Sequence, residues 1–229
     1  MGNTIYTKIY DAPPIDKDEI LRYAGVRELT PDMEIILEQC LDEIDDKLIY
    51  RVCWGEFSLS AEEDFLDVGF AKLESKDLAK NLNGCSSVVV FAATVGIEID
   101  RQIARYGAVA PTKALFFQAI GAERIESLCN LFCMKIEEEK QKLGKGTRPR
   151  FSAGYGDLSI YVQNDIFRVL NPQKRIGLAL GKSMLMSPSK SVTAIIGISD
   201  NAAEMKDRRD CKSCNKTDCS YRRDASEDN

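Results

Sequence analysis

The chain has 229 residues, of which 44% are hydrophobic and 29% are charged, and its formal net charge is −5 at pH 7. This length and apolar content predict one domain, with or without appendages, and a substantial core. The acidic balance argues against broad nucleic-acid binding, and no apolar run reaches the roughly 18 residues of a membrane span. The N-terminus lacks an apolar signal segment, so we expect a cytoplasmic protein. The sequence contains no histidine, which excludes the commonest general base and the commonest metal ligand.

Capping signals and apolar periodicity predict the first two thirds of the chain. Asp16 with Glu19 is typical of a capping pair, and Thr30 followed by Pro31 is typical of a helix start. A continuous apolar run over 87–94 predicts a central strand. In chain order we predict a helix that opens at Asp16, a helix over 30–48, strands over 50–55, 67–73 and 87–94, a helix over 96–106 and a long helix over 111–143.

The last third is predicted to contain a loop over 148–155, a helix over 158–170 and two strands over 178–186 and 191–198. The short link across Pro188 favours antiparallel pairing between those two strands. Helices, then strands, then long helices and a strand pair predict an α+β fold, not a doubly wound parallel one. We expect a mixed or antiparallel central sheet packed by long helices, in a domain over 1–205 followed by a basic, Cys-rich tail over 206–229.

The loop carries the residues with the clearest chemistry. Arg150 offers a planar guanidinium that suits a carboxylate. Gly154 and Gly156 let backbone groups approach a flat ligand, and Tyr155 adds a rigid ring with a polar end. These residues are compatible with a site for an amino-acid carboxylate and a heterocycle. An ordinary surface loop with turn glycines is the alternative that spacing alone leaves open.

The order of motifs adds a family resemblance. The pattern Arg-x-x-x-Gly-Tyr occupies 150–155 and precedes the predicted helix over 158–170. The block Gly-Lys-Ser-Met-Leu-Met-Ser-Pro follows at 181–188, and Ala-Glu-Arg-Ile-Glu stands at 122–126 on the long helix. Together these motifs resemble the activation (reactivation) domain of cobalamin-dependent methionine synthase, most clearly over 111–199.

The resemblance implies a function. In that family the domain docks over the corrin and presents S-adenosylmethionine, and reductive methylation of cob(II)alamin restores methylcobalamin with an electron from flavodoxin or a similar donor. Carried across, Arg150 would bind the methionine carboxylate, and Ala153 and Gly154 would contact the adenine through their backbone. Tyr155 would approach the corrin and the transferred methyl group as the catalytic residue. The family often has proline where Ala153 stands, and residues 156–159 also depart from its pattern.

We therefore expect a stand-alone reactivation module, an accessory component of methionine biosynthesis. It would bind S-adenosylmethionine and dock on a cobalamin-dependent methionine synthase or its corrinoid-binding domain, which carries the cobalamin. The absence of histidine excludes a histidine ligand to cobalt in this chain. We expect no nucleic-acid or membrane partner.

The eight cysteines fall into two groups. Five lie in apolar segments, where free cysteine is usually a small buried hydrophobe: Cys40, Cys53, Cys85, Cys129 and Cys133. Cys211, Cys214 and Cys219 stand among basic residues of the tail with metal-ligand spacing. Zinc and a three-cysteine iron–sulfur cluster are equally compatible with these three, and a flexible or redox-labile tail is the alternative.

Other functions remain open from sequence alone. One is an iron–sulfur or zinc-containing activator of another corrinoid methyltransferase system. Another is a zinc-stapled interaction protein that keeps the fold but has lost the ligand. A free-standing methyltransferase for small molecules is less compatible, since no general base stands out.

Overall fold

The computed structural model describes residues 4–201. The predicted tail over 206–229 lies outside the described residues, so the domain boundary stays a prediction. The helices are α1 (Lys17–Ala24), α2 (Pro31–Asp42), α3 (Lys76–Asn81), α4 (Glu98–Tyr106), α5 (Pro111–Gln141), α6 (Val162–Leu170) and α7 (Pro172–Ile176). The strands are β1 (Ile5–Tyr10), β2 (Tyr50–Ser58), β3 (Ser60–Ala61), β4 (Leu66–Asp67), β5 (Lys72–Leu73), β6 (Ser87–Thr94), β7 (Gly146–Thr147), β8 (Ala179–Leu180), β9 (Met186–Ser187) and β10 (Ser191–Ser199).

A five-stranded sheet in the order β1-β2-β6-β10-β7 forms the centre of the fold. Every neighbouring pair in this sheet is antiparallel. The predicted strand over 87–94 is β6, which pairs with β2 on one side and β10 on the other, so Phe91 lies opposite both Trp54 and Ala194. These pairings confirm the predicted α+β fold with an antiparallel central sheet.

Each face of the sheet is covered by different helices, because successive side chains of a strand point to opposite faces. Val89, Phe91 and Ala93 of β6 join a core cluster that α5 supplies with Leu128 and Phe132. The alternate residues of β6 join a second cluster that contains α6 and α7. A third cluster packs α1, α2 and α4 against the first half of α5. The long helix is therefore shared between two cores, while α6 lies on the opposite face of the sheet.

The predicted helix starts are confirmed. The Asp16 side chain accepts a hydrogen bond from the Glu19 N–H at 3.0 Å, and the Thr30 hydroxyl accepts one from the Met33 N–H at 3.4 Å. The second helix ends at Asp42, earlier than predicted. Within residues 4–201, no helix combines the length and the apolar character that a membrane crossing requires.

The predicted strand over 178–186 is wrong. That segment forms the hairpin of β8 and β9, whose turn closes where the Gly181 N–H donates to the Leu185 carbonyl at 2.8 Å. Met184 adopts a left-handed φ of 61° in this turn. β10 pairs with β6 and β7 instead of with this segment, so the predicted strand pair across Pro188 does not form. The predicted strand over 67–73 is likewise divided into the short strands β4 and β5.

Candidate functional site

The segment after β7 follows the edge of β10 and then leaves it. The Arg148 N–H donates to the Gly197 carbonyl at 2.8 Å, and Phe151 exchanges two backbone hydrogen bonds of 2.8 Å with Ile195. Alternation along this extended segment sends neighbouring side chains to opposite faces. Phe151 packs against the core on the α6 side, whereas Arg150 reaches the polar surface of α5.

Arg150 is held by three side chains of α5. One guanidinium nitrogen, Nη2, lies 2.5 Å from Oε2 of Glu126, and Nη1 donates to Oδ1 of Asn130 at 2.8 Å. Nη1 also lies 3.9 Å from the sulfur of Cys133. Burial raises the pKa of the Cys133 thiol, and this effect outweighs the opposing influence of the guanidinium. The thiol is therefore a neutral neighbour of Arg150 and not a thiolate nucleophile.

A tight turn follows Arg150 and presents Tyr155. The Gly154 N–H donates to the Leu158 carbonyl at 2.9 Å, and Gly154 has a φ of +88°, a conformation that favours glycine. Ala153 is buried, but the Tyr155 side chain is 70% exposed. The turn thus holds a large ring in solvent on a backbone that its own hydrogen bonds define.

Asp157 fastens the far end of this turn to α3. Its carboxylate accepts hydrogen bonds from the Ser75 hydroxyl and from the N–H groups of Lys76 at 2.8 Å and Asp77 at 3.2 Å. Hydrogen bonding from Ser75, supported by the two backbone donors, lowers the pKa of Asp157 below its ordinary value of 3.8. Residue 156 must be small here, because a Cβ on Gly156 would lie 2.3 Å from a carboxylate oxygen of Asp77.

Arg150, Ala153 and Tyr155 line one cleft of about 500 Å³. This volume falls in the range of roughly 300–1,000 Å³ that is usual for small-molecule sites. Gly154 supports the turn without lining the cleft. The lining residues are Glu126, Arg150, Phe151, Ser152, Ala153, Tyr155, Gln163, Met186, Ser191, Val192 and Thr193.

The free edge of β10 contributes backbone groups to the cleft. Hydrogen-bonding direction alternates along a strand, and Ile195 directs its N–H and C=O toward Phe151. Thr193, two residues earlier, directs its backbone groups to the same edge, beyond the point where the neighbouring segment has turned away. The cleft therefore combines an ion pair, an aromatic ring and a length of strand edge.

Three lining residues had no role in the sequence interpretation: Glu126, Gln163 and Thr193. Glu126 belongs to the motif quoted for the long helix, but its contact with Arg150 spans 24 positions of the chain. No local pattern reports such a contact. The alternation of β10 was visible in the sequence, but which of its edges stays free depends on the sheet order.

The predicted metal ligands Cys211, Cys214 and Cys219 lie outside the described residues, so the zinc or iron–sulfur site stays a prediction. Within residues 4–201, no cluster of His, Cys, Asp or Glu side chains is arranged to hold a metal ion. Of the five other cysteines, three are buried as predicted: Cys40, Cys53 and Cys129. Cys85 and Cys133 are half-buried.

Comparison with known proteins relates the whole arrangement to a solved structure. No protein-family model matches the chain, and no curated protein sequence matches it. The crystal structure of the MetH reactivation domain bound to AdoHcy is similar, with a TM-score of 0.59, 14% sequence identity, and coverage of 86% of this chain and 78% of that chain. The resemblance inferred from the sequence motifs is thereby confirmed at the level of the fold. The chain has the α+β fold of the MetH reactivation domain.

Proposed function

We propose that this chain binds S-adenosylmethionine in the cleft beside Arg150 and Tyr155, and that it serves as a stand-alone reactivation module for a cobalamin-dependent methionine synthase. The observation that carries the proposal is the meeting of Arg150, Tyr155 and Glu126 in one cleft of a chain with the reactivation-domain fold. The similar solved domain is bound to AdoHcy (S-adenosylhomocysteine), which is the product left when S-adenosylmethionine gives up its methyl group.

The charges of the cleft match those of an amino acid. A ligand of this class carries a carboxylate and an ammonium on one carbon. The Arg150 guanidinium suits the carboxylate, and Glu126 is the nearby carboxylate that suits the ammonium. In the free protein the two side chains neutralise each other, so the bound zwitterion replaces their mutual contact with two new ones.

The rim of the cleft suits docking on a second protein. Tyr155 is 70% exposed, Tyr161 67% and Leu185 73%. Asn164 ties part of this rim together, since its amide donates to the Tyr161 carbonyl at 3.1 Å and approaches the Met184 sulfur at 3.5 Å. Exposed aromatic and aliphatic side chains around a cleft mark a surface that another molecule covers. In the proposal the corrin-bearing domain of the synthase covers it.

The reaction asks little acid–base chemistry of this chain. A donor of the flavodoxin class supplies one electron to cob(II)alamin on the partner, and the methyl group passes from the sulfonium to cobalt while AdoHcy is left. The residues of this chain orient the sulfonium and exclude water, which are the contributions such a transfer requires. Tyr155 is the side chain placed to line the path of the methyl group. We place this reaction in the cytoplasm, within methionine biosynthesis.

Calorimetry tests the binding step. S-adenosylmethionine is titrated into the wild type, Arg150→Ala and Arg168→Ala. Arg168 is a matched control because it is 69% exposed, pairs with Asp165 at 2.6 Å and does not line the cleft. We expect saturable binding to the wild type and to Arg168→Ala, and a Kd raised by roughly 10- to 100-fold in Arg150→Ala, since a hydrogen bond between charged groups is lost.

A reactivation assay tests the partner. A synthase that lacks its own reactivation domain is oxidised to the cob(II)alamin form and mixed with this chain, S-adenosylmethionine and reduced flavodoxin. Recovery of the methylcobalamin spectrum, dependent on the chain and impaired in Arg150→Ala, is the expected result. Absence of ligand binding to the wild type would refute the proposed site, whereas binding without recovery would refute the proposed partner.

A further inference from the structure

Gln163 is a buried polar side chain with an unsatisfied acceptor at the wall of the cleft. The residue is 5% exposed, and it lies in the first turn of α6. Its amide oxygen, Oε1, is buried and has no hydrogen-bond partner within residues 4–201. Buried amide groups are nearly always hydrogen-bonded, because an unmade bond carries the full cost of removing the group from water. A ligand in the cleft is a natural partner for this group.

The position of Gln163 separates it from the charged pair. Arg150 and Glu126 meet at the α5 wall, on one face of the sheet. Gln163 belongs to α6, on the opposite face, and its N–H donates to the Ile160 carbonyl at 3.1 Å. Ile160 lies under the turn, where a Cβ on Gly154 would be 3.0 Å from its Cδ1. The cleft therefore has a zwitterion-binding wall on α5 and an amide wall on α6, beside the turn.

This division orients the ligand. When the amino-acid group occupies the α5 wall, the ribose lies in the middle and the nucleobase reaches the α6 wall. An acceptor at that wall calls for a donor on the ligand, and the donor of adenine outside the ring is its 6-amino group. A half-turn of the amide about its last torsion exchanges its oxygen and nitrogen, so the oxygen can face the cleft without movement of the helix.

We propose that Gln163 accepts a hydrogen bond from the 6-amino group of adenine and determines the nucleobase specificity of the cleft. This inference rests on the proposed function, which it deepens. A site that hydrogen-bonds an N–H of its ligand discriminates against an analogue without that group, since the buried acceptor is then left unpaired.

The test compares two ligands. One is AdoHcy, and the other is the same molecule with the 6-amino group replaced by hydrogen. We expect the wild type to bind the deaminated analogue about tenfold more weakly, as one lost hydrogen bond implies. Gln163→Leu should bind AdoHcy about tenfold more weakly than the wild type does and should bind both ligands equally. Gln163→Met is a second apolar variant with the same expectation.

Gln102 provides the matched control. It is a second buried glutamine, 6% exposed, whose Oε1 also has no hydrogen-bond partner among the described residues, but it lies on α4 and does not line the cleft. Gln102→Leu should keep the wild-type preference for AdoHcy. Equal affinity of the wild type for both ligands, or an undiminished preference in Gln163→Leu, would overturn the inference while AdoHcy binding itself is retained. Absence of AdoHcy binding to the wild type would instead overturn the proposed function together with this role.

Discussion

Glu126→Gln removes one charge from the cleft at nearly constant side-chain size. In the free protein Oε2 of Glu126 lies 2.5 Å from Nη2 of Arg150, and the two side chains are 41% and 23% exposed. Ion pairs with this much solvent contact contribute about 0–1 kcal/mol to folding. The free energy of unfolding should therefore fall by no more than about 1 kcal/mol, which leaves a folded variant whose binding can be measured.

The effect on ligand binding is larger, because two contributions oppose each other unequally. The ligand ammonium loses a charged hydrogen bond of about 1.5–3 kcal/mol. The Arg150 guanidinium, released from its internal pair, returns up to about 1 kcal/mol when it binds the ligand carboxylate. A net loss of about 1–2 kcal/mol raises the Kd for AdoHcy by roughly 5- to 30-fold.

Calorimetry with two ligands isolates the role of Glu126. The second ligand is AdoHcy with its α-amino group replaced by hydrogen. The wild type should prefer AdoHcy, and Glu126→Gln should bind the two with similar affinity. Glu138→Gln, an exposed position of the same helix outside the cleft, provides the same change in net charge and should behave as the wild type does. An unchanged preference in Glu126→Gln would refute the reasoning, as would tighter binding of AdoHcy.

Three further substitutions test the supports of the cleft. Gly154→Ala should lower the free energy of unfolding by about 1–3 kcal/mol in urea, because alanine resists positive φ, and should weaken AdoHcy binding. The hydrogen bond from Ser75 lowers the pKa of Asp157, so stability from this carboxylate is present at neutral pH; the Tm difference between the wild type and Asp157→Asn should shrink as the pH falls below 3.8. Arg124→Met should cost about 3–5 kcal/mol in urea unfolding, because Glu123 stays buried without its cation, and the double variant Glu123→Leu/Arg124→Met should recover most of that loss.

Local signals predicted those elements whose residues report their own environment. The run over 87–94 is apolar at successive positions because β6 is covered on both faces. β1 was not predicted, because its middle residues are exposed and its sequence gives no alternation of buried and exposed positions. The segment over 178–186 has apolar residues of strand composition, but its central residues are exposed in a turn. Apolar content without a defined buried face misled the prediction there.

The site divided in the same way. Arg150 and Tyr155 lie on one short loop, so their order with later motifs was sufficient to single them out. Glu126 and Gln163 reach the cleft from helices on opposite faces of the sheet. A glutamate on a long helix and a glutamine at a helix start are ordinary surface residues by pattern. Their importance depends on the route that the chain takes around the edge of β10.

That route explains how a chain without histidine can hold a site at all. The segment before the turn pairs with β10 as far as Phe151 and Ile195, and then it leaves the edge. From that point the backbone groups of β10 face the cleft, and the helices on either face supply side chains of different chemistry. An exposed strand edge is normally covered or blocked. Here the opening places a guanidinium, a strand edge and an amide around one ligand-sized space, which suits a reaction that requires orientation of a reactive group more than it requires proton transfer.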